Sequence, residues 1–164
     1  MDEIIQNIFS LIRTTSEREE VRAGIQELSK SLYKSFPETF HSVLNEKFRA
    51  RIGDMLREWF DKQSYLRNPG LITADIEKLD RAILSMRVLR IEVALEPNAS
   101  FVDRIASWAH ANLPNDFVLD IARDSAIVGG ARLVYKGRYK EYTLSEMIKS
   151  VFEKKRDIVL RELQ

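Results

Sequence analysis

The chain has 164 residues, of which 45% are hydrophobic and 31% charged, a composition typical of a globular protein that can bury a core. Its 26 lysines and arginines nearly balance 25 aspartates and glutamates, so the formal charge is +1, far from the strong positive field of a dedicated nucleic-acid binder. The sequence has no cysteine, which excludes disulfides, thiolate nucleophiles and cysteine-ligated zinc. No stretch approaches the length of a membrane span, and the acidic start differs from a signal peptide, so a cytoplasmic location is expected.

The first 85 residues are predicted to be helical, because apolar residues recur there every three or four positions. The predicted helices lie near residues 2–13, 16–35, 38–64 and 73–85. Ser16 with Glu19 matches a capping box at the start of the second helix. Pro37 suits the first turn of the third helix, and Ser35 before it is a possible cap.

The third predicted helix, from Glu38 to about Gln63, is the longest. Its apolar stripe is typical of a helix packed into a core, with a groove for a partner helix as the alternative. The stripe consists of Phe40, Leu44, Phe48, Ile52, Met55, Leu56, Trp59 and Phe60. The segment from Arg67 to Gly70 holds proline and glycine side by side and predicts a break, after which Thr73 caps the fourth helix.

The pattern changes at Met86, where apolar and polar residues begin to alternate as they do in a half-buried strand. The first predicted strand runs from Leu89 to Leu95, and Ser100 is the predicted cap of a helix near 100–112. A second strand covers Phe117–Ile121. The residues predicted to be buried in this part are Leu89, Ile91, Val93, Leu119, Ile121 and Leu133, with Trp108 packed against them.

A hairpin and a final helix complete the predicted fold. Lys136-Gly137 joins two runs rich in aromatic and β-branched residues, which is a hairpin signal. Thr143 with Glu146 matches a capping box for a helix near 144–162. The order from Met86 is therefore strand, helix, strand, hairpin and helix. The predicted fold class is α+β, with a helical domain over 1–85 and a small α+β domain over 86–164.

The sequence offers no recognisable catalytic or cofactor chemistry. Gly129-Gly130 leads into a strand, whereas a phosphate-binding loop leads into a helix, so these glycines are interpreted as letting a strand bend or another backbone approach. His41 and His110 lie on different predicted helices without metal-ligand spacing. The cations at 154–156 suit the second half of a helix, where they complement its dipole. We therefore predict a non-catalytic interaction module with no cofactor and no metal.

From about Leu89 onward the sequence resembles the C-terminal domain of the delta subunit of F-type ATP synthase, called oligomycin sensitivity-conferring protein in mitochondria. The resemblance depends on a short turn of Asp124, Ile127, Gly129 and Gly130, in the pattern acidic-x-x-Ile-x-Gly-Gly. A strand, a helix and another strand precede this turn, and a hairpin and a last helix follow it, as in that family.

The resemblance implies a mechanical function: a stator subunit that links the catalytic head to the peripheral stalk during proton-driven ATP synthesis. Its implied partners are the head subunits and the stalk b subunit, with membrane contact only through the complex at the inner (plasma) membrane. Because the family's C-terminal domain meets the stalk, Phe152 and Leu160 on the last helix are the candidate partner-binding residues. The alternative is that both complete the intramolecular core. A stalk E-like subunit of a V/A-type ATPase is an alternative. A small RNA- or ribosome-associated module is another, although the neutral charge argues against nucleic acid.

Overall fold

The structure is a computed structural model that describes residues 2–34, 36–62, 69–151 and 153. The helices are α1 (Asp2–Phe9), α2 (Thr15–Ser31), α3 (Glu38–Glu46), α4 (Ala50–Lys62), α5 (Pro69–Leu84), α6 (Ala99–Asn112) and α7 (144–151). The strands are β1 (Arg87–Val93), β2 (Phe117–Arg123), β3 (Gly130–Tyr135) and β4 (Arg138–Thr143). The predicted α+β class is confirmed, and the order of elements is roughly as predicted, with α3 and α4 in place of one long helix.

The chain forms two compact units. The first contains the described residues up to Arg87 together with Trp108–Val118, and the second contains Val88–Ser107 together with the described residues from Leu119 onward.

The first unit is built by α1 to α5 around an apolar core. In it α2 packs against α3 and α5, α3 packs against α4, and α1 packs against α4 and α5. Phe40 of α3 and Phe60 of α4 meet edge to face, with ring centroids 5.1 Å apart. Each such fully buried side chain contributes about 1.5–3 kcal/mol through loss of apolar contact with water. The largest fully buried side chains are Phe40, Phe60, Ile8, Ile12, Ile25, Leu28, Leu44, Leu56, Ile72, Ile76, Leu79 and Ile83.

The prediction of one long third helix from Glu38 to about Gln63 is wrong, because α3 ends at Glu46 and α4 begins at Ala50. The break is tight: a Cβ added to Gly53 would lie 2.7 Å from the carbonyl oxygen of Leu44. Glycine at 53 therefore lets α4 start directly against the end of α3. The predicted core stripe is largely correct, since its buried members are Phe40, Leu44, Phe48, Ile52, Leu56 and Phe60.

Three helices begin earlier than predicted. The capping box of α2 is Thr14 with Glu17 rather than Ser16 with Glu19. Helix α5 begins at Pro69 rather than after Thr73. Proline is tolerated in the first turn because the N–H groups there have no acceptor within the helix.

The predicted cap of α6 is also replaced, because Asn98 rather than Ser100 precedes its first turn. The Asn98 side-chain oxygen accepts a hydrogen bond of 2.9 Å from the N–H of Phe101. An asparagine whose side chain accepts from the N–H three residues ahead is a normal N-cap. Ser35, predicted to cap the third helix, lies outside the described residues.

The second unit contains most of a four-stranded mixed sheet with the order β2-β1-β3-β4. Strand β3 is antiparallel to both β1 and β4, with Ile91 opposite Leu133 and Leu133 opposite Lys140. The hairpin between β3 and β4 turns at Lys136 (φ 49°) and Gly137 (φ 73°). Positive φ at both central residues is the signature of the type I′ turn, whose twist matches that of the flanking strands.

The predicted buried set of the sheet is partly correct. Ile91, Val93 and Leu119 are buried, whereas Leu89, Ile121 and Leu133 are half-buried. The prediction for Trp108 is wrong, because its side chain is 52% exposed. The buried residues of α6 are Ala106 and Ala109, and Trp108 lies off their face. The first strand also ends at Val93, which leaves Leu95 exposed.

Candidate interaction surface

The turn of Asp124, Ile127, Gly129 and Gly130 joins β2 to β3. The Asp124 N–H donates to the carbonyl of Val93 (2.9 Å), and its side chain accepts from the N–H of Ala126 (2.9 Å). A side-chain oxygen that bonds two residues ahead forms an Asx turn, which is a common use of aspartate in loops. Ile127 is buried and fixes the middle of the turn.

Gly130 begins β3 in a conformation that favours glycine. Its φ is +92°, and an added Cβ would lie 2.0 Å from the carbonyl oxygen of Tyr142. Gly129 has ordinary space around it, with Leu144 Cβ 3.6 Å from an added Cβ. The prediction of a special glycine at 129 or 130 is thus correct, and Gly130 is the one that requires it.

Arg132 lies beside this turn and binds three carboxylates. Its guanidinium contacts Glu141 (2.8 Å), Glu92 (3.0 Å) and Asp124 (3.1 Å), which belong to β4, β1 and the turn. Hydrogen bonds to Glu141 and Glu92 raise the pKa of Arg132 further above its ordinary value. One side chain therefore connects the turn to both neighbours of β3.

The turn and the hairpin together set the start of α7. The N–H of Leu144 donates to the carbonyl of Gly129 (2.9 Å), and the N–H of Glu146 donates to the hydroxyl of Thr143 (3.3 Å). Thr143 is buried and caps α7 as predicted. The direction in which α7 leaves the sheet is fixed by these bonds.

Four apolar residues form a stripe along α7, at helical spacing of three and four. All four side chains are about half exposed or more, between 46% and 62%. They are Leu144, Met147, Ile148 and Val151, which we call the α7 stripe. Apolar residues aligned on one helix face and left in water are the usual mark of a protein-binding surface.

Phe152 and Leu160, the predicted partner-binding residues, lie outside the described residues. The α7 stripe was not predicted as a binding surface, although the last predicted helix carries apolar residues at positions i, i+3, i+4 and i+7. What the sequence could not supply was the exposure of that face.

Other kinds of site find no support in the described part of the chain. No group of three or more acidic or histidine side chains there could hold a metal ion. None of its helices is long and apolar enough to cross a membrane. Comparison with models of protein families and with curated proteins finds no match.

Proposed function

We propose that this protein is a non-catalytic stator component of a rotary F-type ATP synthase. It links the catalytic head to the peripheral stalk during proton-driven ATP synthesis and binds no cofactor of its own. It resides in the cytoplasm and reaches the inner (plasma) membrane only through the complex. The resemblance in the order of elements and in the turn from Asp124 to Gly130 motivates the proposal.

The observation that carries the proposal is the exposed α7 stripe, because a stalk built of long helices is a natural partner for it. An amphipathic helix binds such a partner by burying its apolar face in a shared groove. We therefore place the contact with the b subunit on Leu144, Met147, Ile148 and Val151. The head subunits then bind elsewhere on the chain.

A stator link must transmit force without yielding, and the base of α7 is suited to this task. The hydrogen bond from Leu144 to Gly129 and the Thr143 cap fix the first turn of the helix. Arg132 connects strands β1 and β4 through charge-assisted hydrogen bonds to Glu92 and Glu141. A helix attached in this way transmits load to the sheet rather than bending at its base.

Binding of the full chain to the soluble part of the b subunit tests the proposal. Ile148→Glu places a charge in the middle of the α7 stripe and should weaken binding at least about tenfold, since a buried unpaired charge costs more than 1.4 kcal/mol. Ser145→Glu adds the same charge on the same helix, at an exposed polar position outside the stripe, and should leave binding unchanged.

The proposal is wrong if the wild-type chain does not bind the b subunit. It is also wrong if both variants weaken binding equally, because the charge would then act without regard to the stripe. Binding of a polynucleotide at physiological salt, without binding of the b subunit, would favour an RNA-associated module instead.

A further inference from the structure

The β3–β4 hairpin carries a second surface that the stator proposal does not use. The segment Tyr135–Tyr142 contains three cations and three tyrosines. Side chains alternate between the two faces of a strand, so Arg138, Lys140 and Tyr142 share one face of β4. Tyr139 and Glu141 share the other face. The cations therefore project from one side of the last strand in the sheet.

No carboxylate among the described residues neutralises the positive charge of this face. The carboxylate of Glu141 is bound by Arg132 at 2.8 Å, on the opposite face. Within the described residues, Lys136, Arg138 and Lys140 form no ion pair with a carboxylate, and all three are exposed. Lys140 instead lies over the ring of Tyr142, with Nζ 5.2 Å from the ring centroid. An anionic partner would gain contacts here without displacing an ion pair between described residues.

Among the described residues, the backbone of β4 also lacks a partner on one side. Strand β4 pairs with β3 and ends the sheet order. In a two-residue hairpin the residues that flank the turn exchange hydrogen bonds, and the pattern then alternates. The backbone groups of Arg138 and Lys140 therefore point to β3, whereas those of Tyr139 and Glu141 point outward. In the described part of the chain these outward groups have no backbone partner.

We propose that the outer edge of β4 binds an extended acidic segment of a partner protein as a fifth strand. Backbone hydrogen bonds to Tyr139 and Glu141 would hold the segment, and carboxylates at every second position would lie opposite Arg138 and Lys140. These are the closely spaced positions of an antiparallel pair, where opposite charges interact best. The partner is thus a protein strand with alternating Asp or Glu.

Charge selects this occupant over the others. A second copy paired antiparallel about Tyr139 would bring Arg138 directly opposite Lys140, and like charges opposite one another destabilise a pair. A polynucleotide would gain little from this edge, because three cations neutralise few phosphates. The surface is separate from the α7 stripe and does not depend on the stator function.

A labelled peptide of alternating Glu and Thr, about eight residues long as in an ordinary strand, serves as the probe for fluorescence anisotropy with the full chain. Binding is measured at about 0.15 M salt, where distant charges are screened. Lys140→Glu should weaken binding by about tenfold, and Arg138→Glu should act in the same direction. Lys149→Glu makes the same charge reversal on exposed α7 and should leave the affinity unchanged.

Two further measurements separate strand addition from simple charge attraction. A peptide in which proline replaces threonine keeps the charges but loses the N–H groups that face β4, so it should bind much more weakly. The acidic peptide should slow amide hydrogen exchange at Tyr139 and Glu141. A Lys–Thr peptide should bind Lys140→Glu better than it binds the wild type, and retained thermal unfolding of that variant shows that it is folded.

Equal binding of the proline peptide would overturn the proposal, because the open backbone would then have no role. Tighter binding of polyuridylate than of the acidic peptide would overturn it in favour of nucleic acid. Concentration-dependent dimerisation that Lys140→Glu alters would overturn it in favour of a second copy.

Discussion

At the scale of single residues, two adjacent glycines differ in how strictly their positions require glycine. Gly130 combines a φ of +92° with a backbone oxygen 2.0 Å from where a Cβ would lie. Gly129 has neither constraint, and its carbonyl accepts a hydrogen bond from the N–H of Leu144. The sequence Gly-Gly indicates a special backbone position but does not say which glycine occupies it, because both lack a side chain.

Gly130→Ala should destabilise the protein by at least about 1–3 kcal/mol, since it forces a strained backbone conformation and a clash with the Tyr142 carbonyl. Gly129→Ala is the matched control and should change the free energy of unfolding by less than about 0.5 kcal/mol, as at an ordinary surface site. Urea denaturation of both variants measures the difference. Equal losses would mean that the positive φ at Gly130 has no energetic consequence.

At the scale of secondary-structure elements, β2 contributes two deeply buried side chains to the sheet, Val118 and Leu119. Leu119 on β2 is 2% exposed, while the same residue type at position 95, after the end of β1, is 79% exposed. The two leucines therefore allow the same substitution to be compared in opposite environments.

Leu119→Ala should lower the free energy of unfolding by about 2–5 kcal/mol, because it removes buried methyl groups and leaves a cavity. Leu95→Ala should stay within about 0.5 kcal/mol of the wild type, as expected at an exposed position. Chemical denaturation provides both values. A loss below about 1 kcal/mol for Leu119→Ala would show that β2 is peripheral to the core.

The types and order of the elements could be predicted from the sequence because apolar periodicity differs between helices and strands. Their ends could not. Both Thr14–Glu17 and Ser16–Glu19 fit the capping-box pattern, and the choice of Thr14 goes with the contact between Glu17 and Arg49, which is distant in the chain. The break before Ala50 was hidden because the apolar stripe keeps its spacing through it.

The same limit applies to the candidate surface. Periodicity identifies the apolar face of a helix, but whether that face is covered depends on residues remote in sequence. Trp108 fits the apolar pattern of α6 and is exposed, whereas the smaller Ala106 and Ala109 are buried. The α7 stripe has an ordinary core pattern, and its exposure became visible only in the folded chain.

At the scale of the whole molecule, the balanced charge of the chain is arranged in clusters within each unit. In the first unit Glu17 is the centre of one cluster. Its carboxylate accepts from the N–H of Arg13 (2.7 Å) and from the guanidinium groups of Arg13 (3.1 Å) and Arg49 (2.7 Å). Arg49 precedes α4 and also contacts Glu20 (2.9 Å). The cluster thus links α2 to the segment where α3 and α4 meet.

This cluster should make the free energy of unfolding depend on pH in the acidic range. Burial acts to raise the pKa of Glu17, but hydrogen bonds from Arg49 and Arg13 outweigh it and lower that pKa below its ordinary value. A carboxyl whose pKa is lowered by folding contributes stability that is complete above its unfolded pKa, about 4.3, and lost as pH falls through the folded value. The free energy of unfolding should therefore fall as the pH drops below about 4.3.

Glu17→Gln should remove that part of the acid dependence and cost about 1.5–3 kcal/mol at neutral pH, the usual value of hydrogen bonds to a charged group. Arg49→Ala should flatten the same pH curve, because it removes the hydrogen bond that lowers the pKa of Glu17 most. In the double variant the two effects should not add, since both remove one interaction. Urea unfolding at a series of pH values measures all four chains. If Glu17→Gln loses stability in acid as steeply as the wild type, other carboxylates govern the acid response and Glu17 has no part in it.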